Sequence, residues 1–178
     1  MSLLHSTLAL IMALSCSGSV AAGDLPTAAH DPVSGSAVSA DDQIRTGLKL
    51  AHEGAWQAAI DAFNAALATD PESGEALFFR GQAEAAQKDY PAALRSLAAA
   101  LPHLPHEPAL YQAIGEIHAA RGDAVRAADA FAIAADLYLR QGAETEAQQT
   151  IARLRQIRPD APQLGALNER AAGGPARR

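Results

Sequence analysis

The apolar residues of this chain fall into short stretches with helical spacing, and the stretches themselves recur. Ala59, Phe63 and Ala66 stand four and three positions apart, as on the buried face of an α-helix. Ala93, Leu97 and Ala100 repeat that spacing, and so do Ala127, Phe131 and Ala134. Each set lies 34 residues after the one before, as do the glycines Gly47, Gly81 and Gly115. Pro71 and Pro105 share the next equivalent site, where the third copy has Leu139. Small and large apolar sites recurring together at this period predict stacked helix pairs. Glycine and alanine let two helices approach closely, while Phe63, Leu97 and Phe131 fill the space between pairs. The pattern predicts helices near 40–53, 56–69, 74–87, 90–102, 108–121 and 124–141, with tight turns within pairs at Gly54, Asp89 and Gly122-Asp123.

Beyond Gly142 the rhythm changes. Ala147, Ile151, Leu154 and Pro159 repeat the second-helix spacing, but Gly142 follows Gly122 by only 20 residues, so a whole fourth repeat does not fit. The expectation is that helix 124–141 packs against a further helix near 144–157. That helix would cap the stack and carry Glu144, Gln148, Arg153 and Arg155 on its polar side. A short helix between Ala161 and Ala171 and a disordered tail over 173–178 complete the reading.

On these residues the chain resembles the tetratricopeptide repeat family. The first repeat is clearest, with Gly47, Leu50, Gly54, Trp56, Ala59, Ile60, Phe63, Ala66, Leu67 and Pro71 at signature spacing. The second matches at Leu77, Gly81, Tyr90, Ala93, Leu97, Ala100 and Pro105, although Arg80, Glu84 and Lys88 replace typical apolar or glycine sites. The third matches at Tyr111, Ile114, Gly115, Gly122, Ala127, Phe131 and Ala134. The resemblance implies an all-α, right-handed superhelical solenoid of three tetratricopeptide helix pairs (40–73, 74–107 and 108–141) plus C-terminal capping helices over 142–172.

Composition narrows the picture. The chain is 49% hydrophobic with one Trp, three Tyr and four Phe, so alanine dominates the apolar content and favours closely packed helices over a β-sandwich. Net charge is −6. From Arg140 onward seven arginines stand against four acidic residues, leaving +3 there and −9 before it. An acidic body without a basic stripe excludes nucleic acid as the expected partner.

The N-terminus reads as an export signal over residues 1–22. Leu8 to Leu14 form a compact apolar run, shorter than the roughly 20 residues a membrane-spanning helix needs, and Val20-Ala21-Ala22 offer a cleavage pattern before Gly23. The leading segment carries no Lys or Arg. Ala13-Leu14-Ser15-Cys16 loosely resembles a lipobox, so Cys16 is a second candidate, a lipid-anchored first residue of the mature chain. Either processing implies an exported protein, bacterial and periplasmic or attached to the envelope. Residues 23–39, rich in Pro, Gly and Ser, read as a flexible linker. With one cysteine the chain has no intramolecular disulfide, and a Cys-based metal cluster is not expected.

The resemblance implies that the first helix of each pair lines the concave side, where partners bind. That face would present Asp41, Ile44, Arg45, Leu48, Ala51 and His52, then Glu75, Phe78, Gln82 and Ala86, then Gln112, Glu116 and Ala120. For Phe78 an inter-helix core position is an equal alternative, and for Glu75 and Glu116 a solvated-face reading is favoured over direct contact. Relatives that clamp a peptide carboxylate need convergent Lys, Asn and Arg donors. Here Arg45 is the only strong cation nearby, and Asp41, Glu75 and Glu116 would repel a carboxylate. The expected client is a protein or peptide with apolar anchors and basic residues. A secretion or assembly chaperone, self-association, and a metal carrier or enzyme are the other readings. His103, His106 and His118 form the one group resembling metal ligands, with Glu107 as the nearest carboxylate, and His118 stands at a usual core site. No cofactor is expected: there is no G-x-S-x-G turn and no phosphate-cradling glycine loop.

Overall fold

The alanine-rich repeats form helices throughout. In the computed structural model, which describes residues 39–172, there are eight helices and, among the described residues, no strand. They are α1 (Ala40–His52), α2 (Trp56–Thr69), α3 (Gly74–Ala86), α4 (Tyr90–Ala100), α5 (Pro108–Ala120), α6 (Ala124–Gln141), α7 (Glu144–Ile157) and α8 (Leu164–Ala171). The protein is the all-α repeat solenoid that the 34-residue period predicts. Helix α4 stops at Ala100, short of the expected end, because Pro102 has no N–H to continue the ladder. The export segment, Cys16, the linker over 23–38 and the tail over 173–178 lie outside the described residues.

Close packing within each pair follows from the repeated glycine. A methyl group built on Gly47 would stand 2.5 Å from the Phe63 ring, one on Gly81 would stand 2.7 Å from Leu97, and one on Gly115 would stand 3.0 Å from Phe131. Three times, then, the second helix drives a large apolar side chain against a backbone bare of Cβ on the first. Phe63, Leu97 and Phe131 are fully buried as a result. Between pairs, Phe79 stacks on Phe63 with ring centroids 6.0 Å apart and meets Phe78 at 5.2 Å, joining the first pair to the second.

The turn inside each pair is also repeated. Gly54, Lys88 and Gly122 adopt left-handed φ values of 77°, 67° and 79°. The next residue sends its N–H back to a carbonyl five positions earlier: Ala55 to Leu50, Asp89 to Glu84 and Asp123 to His118, at 2.9–3.0 Å. Asp89 and Asp123 then cap α4 and α6, accepting from the Ala92 and Arg126 amides at 3.1 Å. Asp89 therefore acts as a cap, and the left-handed residue of the second turn is Lys88.

The same turn appears a fourth time where the period breaks. Gly142 has φ 73°, and the Ala143 N–H reaches the Tyr138 carbonyl at 2.9 Å. Helix α6 packs against α7 as closely as helices within a pair pack together. Thus α6 is shared: it closes the third pair with α5 and opens an overlapping pair with α7, as the 20-residue spacing anticipates. Ala127, Phe131 and Ala135 of α6, Ile151 and Leu154 of α7, and Leu164 and Leu167 of α8 form one buried cluster.

Candidate functional site

Successive first helices meet, α1 with α3 and α3 with α5, more closely than successive second helices do, which puts the first helices on the inner side of the stack. The residues expected on that face divide into three groups. Asp41, Arg45, His52 and Glu75 are exposed, and Leu48, Gln82, Gln112 and Glu116 are half-buried. Ile44 and Phe78 are core residues, 5% and 8% exposed. They hold equivalent positions 34 residues apart, and the approach of the neighbouring first helix closes over both. Ile44 joins the cluster with Ala76 and Ala83, and Phe78 joins the one with Leu110 and Ile117.

Several polar residues of the face are engaged within the chain. Arg45 Nη1 donates to Asp42 Oδ1 at 2.8 Å on the exposed surface of α1. Gln112 Oε1 accepts from the Tyr138 hydroxyl at 3.1 Å. Burial, with the charges of Glu107 and Glu146 adding to it, pushes the Tyr138 phenol up to about 12. Glu116 accepts two hydrogen bonds from Arg153 of α7, Nε to Oε1 at 3.1 Å and Nη2 to Oε2 at 2.9 Å. Arg153, expected on the solvent side of the cap, instead reaches back to the inner face. No sequence spacing announces a contact between residues 37 apart on helices of different pairs.

Arg80 and Glu84, which depart from the repeat pattern, form a polar network behind the face. Arg80 Nε donates to Ser96 Oγ at 3.1 Å, Ser96 Oγ donates to Glu84 Oε2 at 2.6 Å, and Arg80 Nη1 donates to Asn64 Oδ1 at 3.1 Å. Ser96 is buried, so two charged side chains satisfy a hydroxyl that would otherwise lose its partners. The network ties α2, α3 and α4 together.

His103 and His106 are exposed in the α4–α5 connection, whereas His118 is half-buried in the last turn of α5. Burial lowers the His118 imidazole from its ordinary range, against the pull of Asp123, whose Oδ2 lies 3.9 Å from Nδ1. Among the described residues no three His, Cys, Asp or Glu side chains are grouped to hold a metal ion. Nor is any described helix long and apolar enough to cross a membrane.

The repeat pattern and the fold both have counterparts among known proteins. Residues 49–108 match the tetratricopeptide repeat family. The helical stack is similar to PcrH, solved in complex with the chaperone binding region of PopD, at TM-score 0.63 and 24% identity over 66% of this chain and 89% of that one. It is similar to SycD, a type III secretion translocator chaperone of Yersinia enterocolitica, at TM-score 0.62 and 18% identity over 67% of this chain and 86% of that one. MamA matches at TM-score 0.57 and 16% identity over 78% of this chain and 79% of that one. No curated protein sequence matches the chain.

Proposed function

We propose that this protein is an exported interaction adaptor that holds an extended segment of a client protein on the first-helix face, without catalytic turnover. The observation that carries the reading is the alignment of α1, α3 and α5 side by side on the inner face of the stack, with Leu48, Gln82 and Glu116 at equivalent positions. Leu48 offers an apolar anchor at one end. The exposed carboxylates of Asp41 and Glu75 favour a client with basic residues, through attraction that salt would screen. Arg45 is paired with Asp42 and Arg153 with Glu116, so the convergent free donors a terminal carboxylate needs are lacking among the described residues of this face.

A photo-crosslinking residue at Leu48 or Gln82 is expected to trap a discrete partner in cells, and one at exposed Arg95 of α4 is not. Glu75→Lys combined with Gln82→Lys should abolish the trapping at Leu48 while helicity is retained. Crosslinks from Arg95 alone would sink the reading. Because Ile44 is core, Ile44→Glu is unsuitable as a surface probe: it would bury a charge and unfold the first pair.

The fold likeness to PcrH and SycD supports a second reading, a secretion or assembly chaperone that shields its client. Suppression of client aggregation at equimolar protein, without a complex that survives gel filtration, would favour it over the adaptor. Export rests on the apolar run Leu8–Leu14 and the small residues before Gly23. A mature periplasmic mass beginning at Gly23 is expected for cleavage by a signal peptidase, a mass carrying lipid on Cys16 for anchoring to the envelope, and a full-length cytoplasmic chain would overturn both.

A further inference from the structure

Leu48, Gln82 and Glu116 hold one register position in three successive first helices, so a client lying along the face would meet them in turn. At the third position the place is taken. The guanidinium of Arg153 sits on Glu116 as a two-pronged donor, at 3.1 and 2.9 Å, and its remaining Nη1 donates to Gln156 Oε1 at 3.0 Å. The helix that carries Arg153 does not depend on this contact for its seat. Ile151 and Leu154, on another face of α7, are buried in one cluster with residues of α6 and anchor it. Arg153 and Glu116 are 27% and 30% exposed, so solvent and solutes reach both.

We infer that Arg153 is a built-in occupant of a guanidinium subsite: an autoinhibitory contact in which the cap's own arginine holds the place on Glu116 that an arginine of the client takes. The inference rests on the first-helix face being the client site. Partly exposed ion pairs contribute little net, so a competing guanidinium needs little advantage to displace Arg153. The two Glu116 oxygens already receive two parallel N–H groups, a geometry that arginine supplies and the point charge of lysine does not. Exposed Glu75 on the neighbouring first helix adds negative charge that steers a basic segment toward the same side. When the client arginine binds, Arg153 swings to solvent and keeps Gln156 as its partner, while α7 stays packed on α6.

The test uses the full chain and N-acetyl-argininamide as probe, followed by NMR at the Glu116 amide and the Arg153 Nε–H. Arg153→Ala is expected to bind the probe up to about fivefold more tightly than the unmodified protein, a change equivalent to about 1 kcal/mol. Adding Glu116→Gln should remove the gain, and N-acetyl-lysinamide should show little of it. Equal affinity with and without Arg153, a gain that survives Glu116→Gln, or equal binding of the lysine probe would overturn the subsite. If Arg153→Ala does not fold, the unmodified protein decides: the Arg153 Nε–H signal must move toward that of a free arginine as probe is added, and a stationary signal overturns the proposal. The adaptor reading fails separately. Crosslinks at Gln82 without any argininamide gain would sink only the subsite, and the gain without crosslinks would sink only the adaptor.

Discussion

Lys88 is the one non-glycine described residue with positive φ, at the site where the other two pairs have Gly54 and Gly122. A side chain in the left-handed region crowds its own backbone by roughly 1–2 kcal/mol, and glycine relieves this while losing more chain entropy on folding. Lys88→Gly is therefore expected to raise stability by about 0.5–1 kcal/mol, read as a higher urea midpoint at unchanged slope. Gly47, Gly81 and Gly115 invert that logic. Alanine is the better helix former by about 1 kcal/mol, but its methyl must fit against Phe63, Leu97 or Phe131. At Gly47 the ring is 2.5 Å away, and at Gly81 the Ala93 carbonyl adds a rigid neighbour at 3.2 Å, so both substitutions should cost about 1–3 kcal/mol. At Gly115 the nearest ring atoms are 3.0 Å away, and Gly115→Ala should be the mildest of the three by thermal melting. These contacts were legible in the sequence because glycine and its large partner repeat in step. The left-handed Lys88 was not, because lysine carries no conformational signal; only its offset of 34 from Gly54 and Gly122 marks it.

At the scale of the element, helix α6 shows where legibility ends. Its sharing between two partners could be read from Gly142 and from the second-helix spacing at Ala147, Ile151 and Leu154. What a helical projection cannot show is how far a facing helix covers a side chain, and so it puts Ile44 on the face and leaves Phe78 open between face and core, when the neighbouring first helices enclose both. Tyr138 illustrates the same dependence on neighbours. It lies on α6 beside α5, buried, with its hydroxyl on Gln112. Its phenol ionises near 10 in an unfolded chain and at about 12 in the fold. Because the folded value is the higher, the stabilisation from keeping it neutral is complete below about 10 and is lost as pH rises toward 12. Tyr138→Phe should cost stability at neutral pH through the lost hydrogen bond, by about 1 kcal/mol. It should also flatten the loss of stability between those two pH values, measured as urea midpoints; a slope identical to that of the unmodified protein would refute the assignment.

In the whole molecule, sharing one helix between two pairs should make the C-terminal half a single cooperative block, whereas a simple stack would couple each pair only to its neighbours. Phe131 belongs to one buried cluster with Leu154 of α7 and Leu164 and Leu167 of α8, so a defect in the cap should be felt in the core of the third pair. Leu154 is fully buried, and Leu154→Ala should cost about 3 kcal/mol through lost transfer energy and the cavity left behind. The distribution of that loss is the sharper expectation. Hydrogen exchange should quicken together across α5, α6, α7 and α8, while α1 and α2, whose core is the separate cluster around Ile44 and Phe63, should be nearly unchanged. Loss of protection confined to α7 and α8 would mean that the cap merely sits on a finished stack. Protection lost in common by α5 to α8 would make the cap part of the third pair, so that Glu116 and Arg153 are held in one rigid body and the arginine's side chain, not its helix, is what moves.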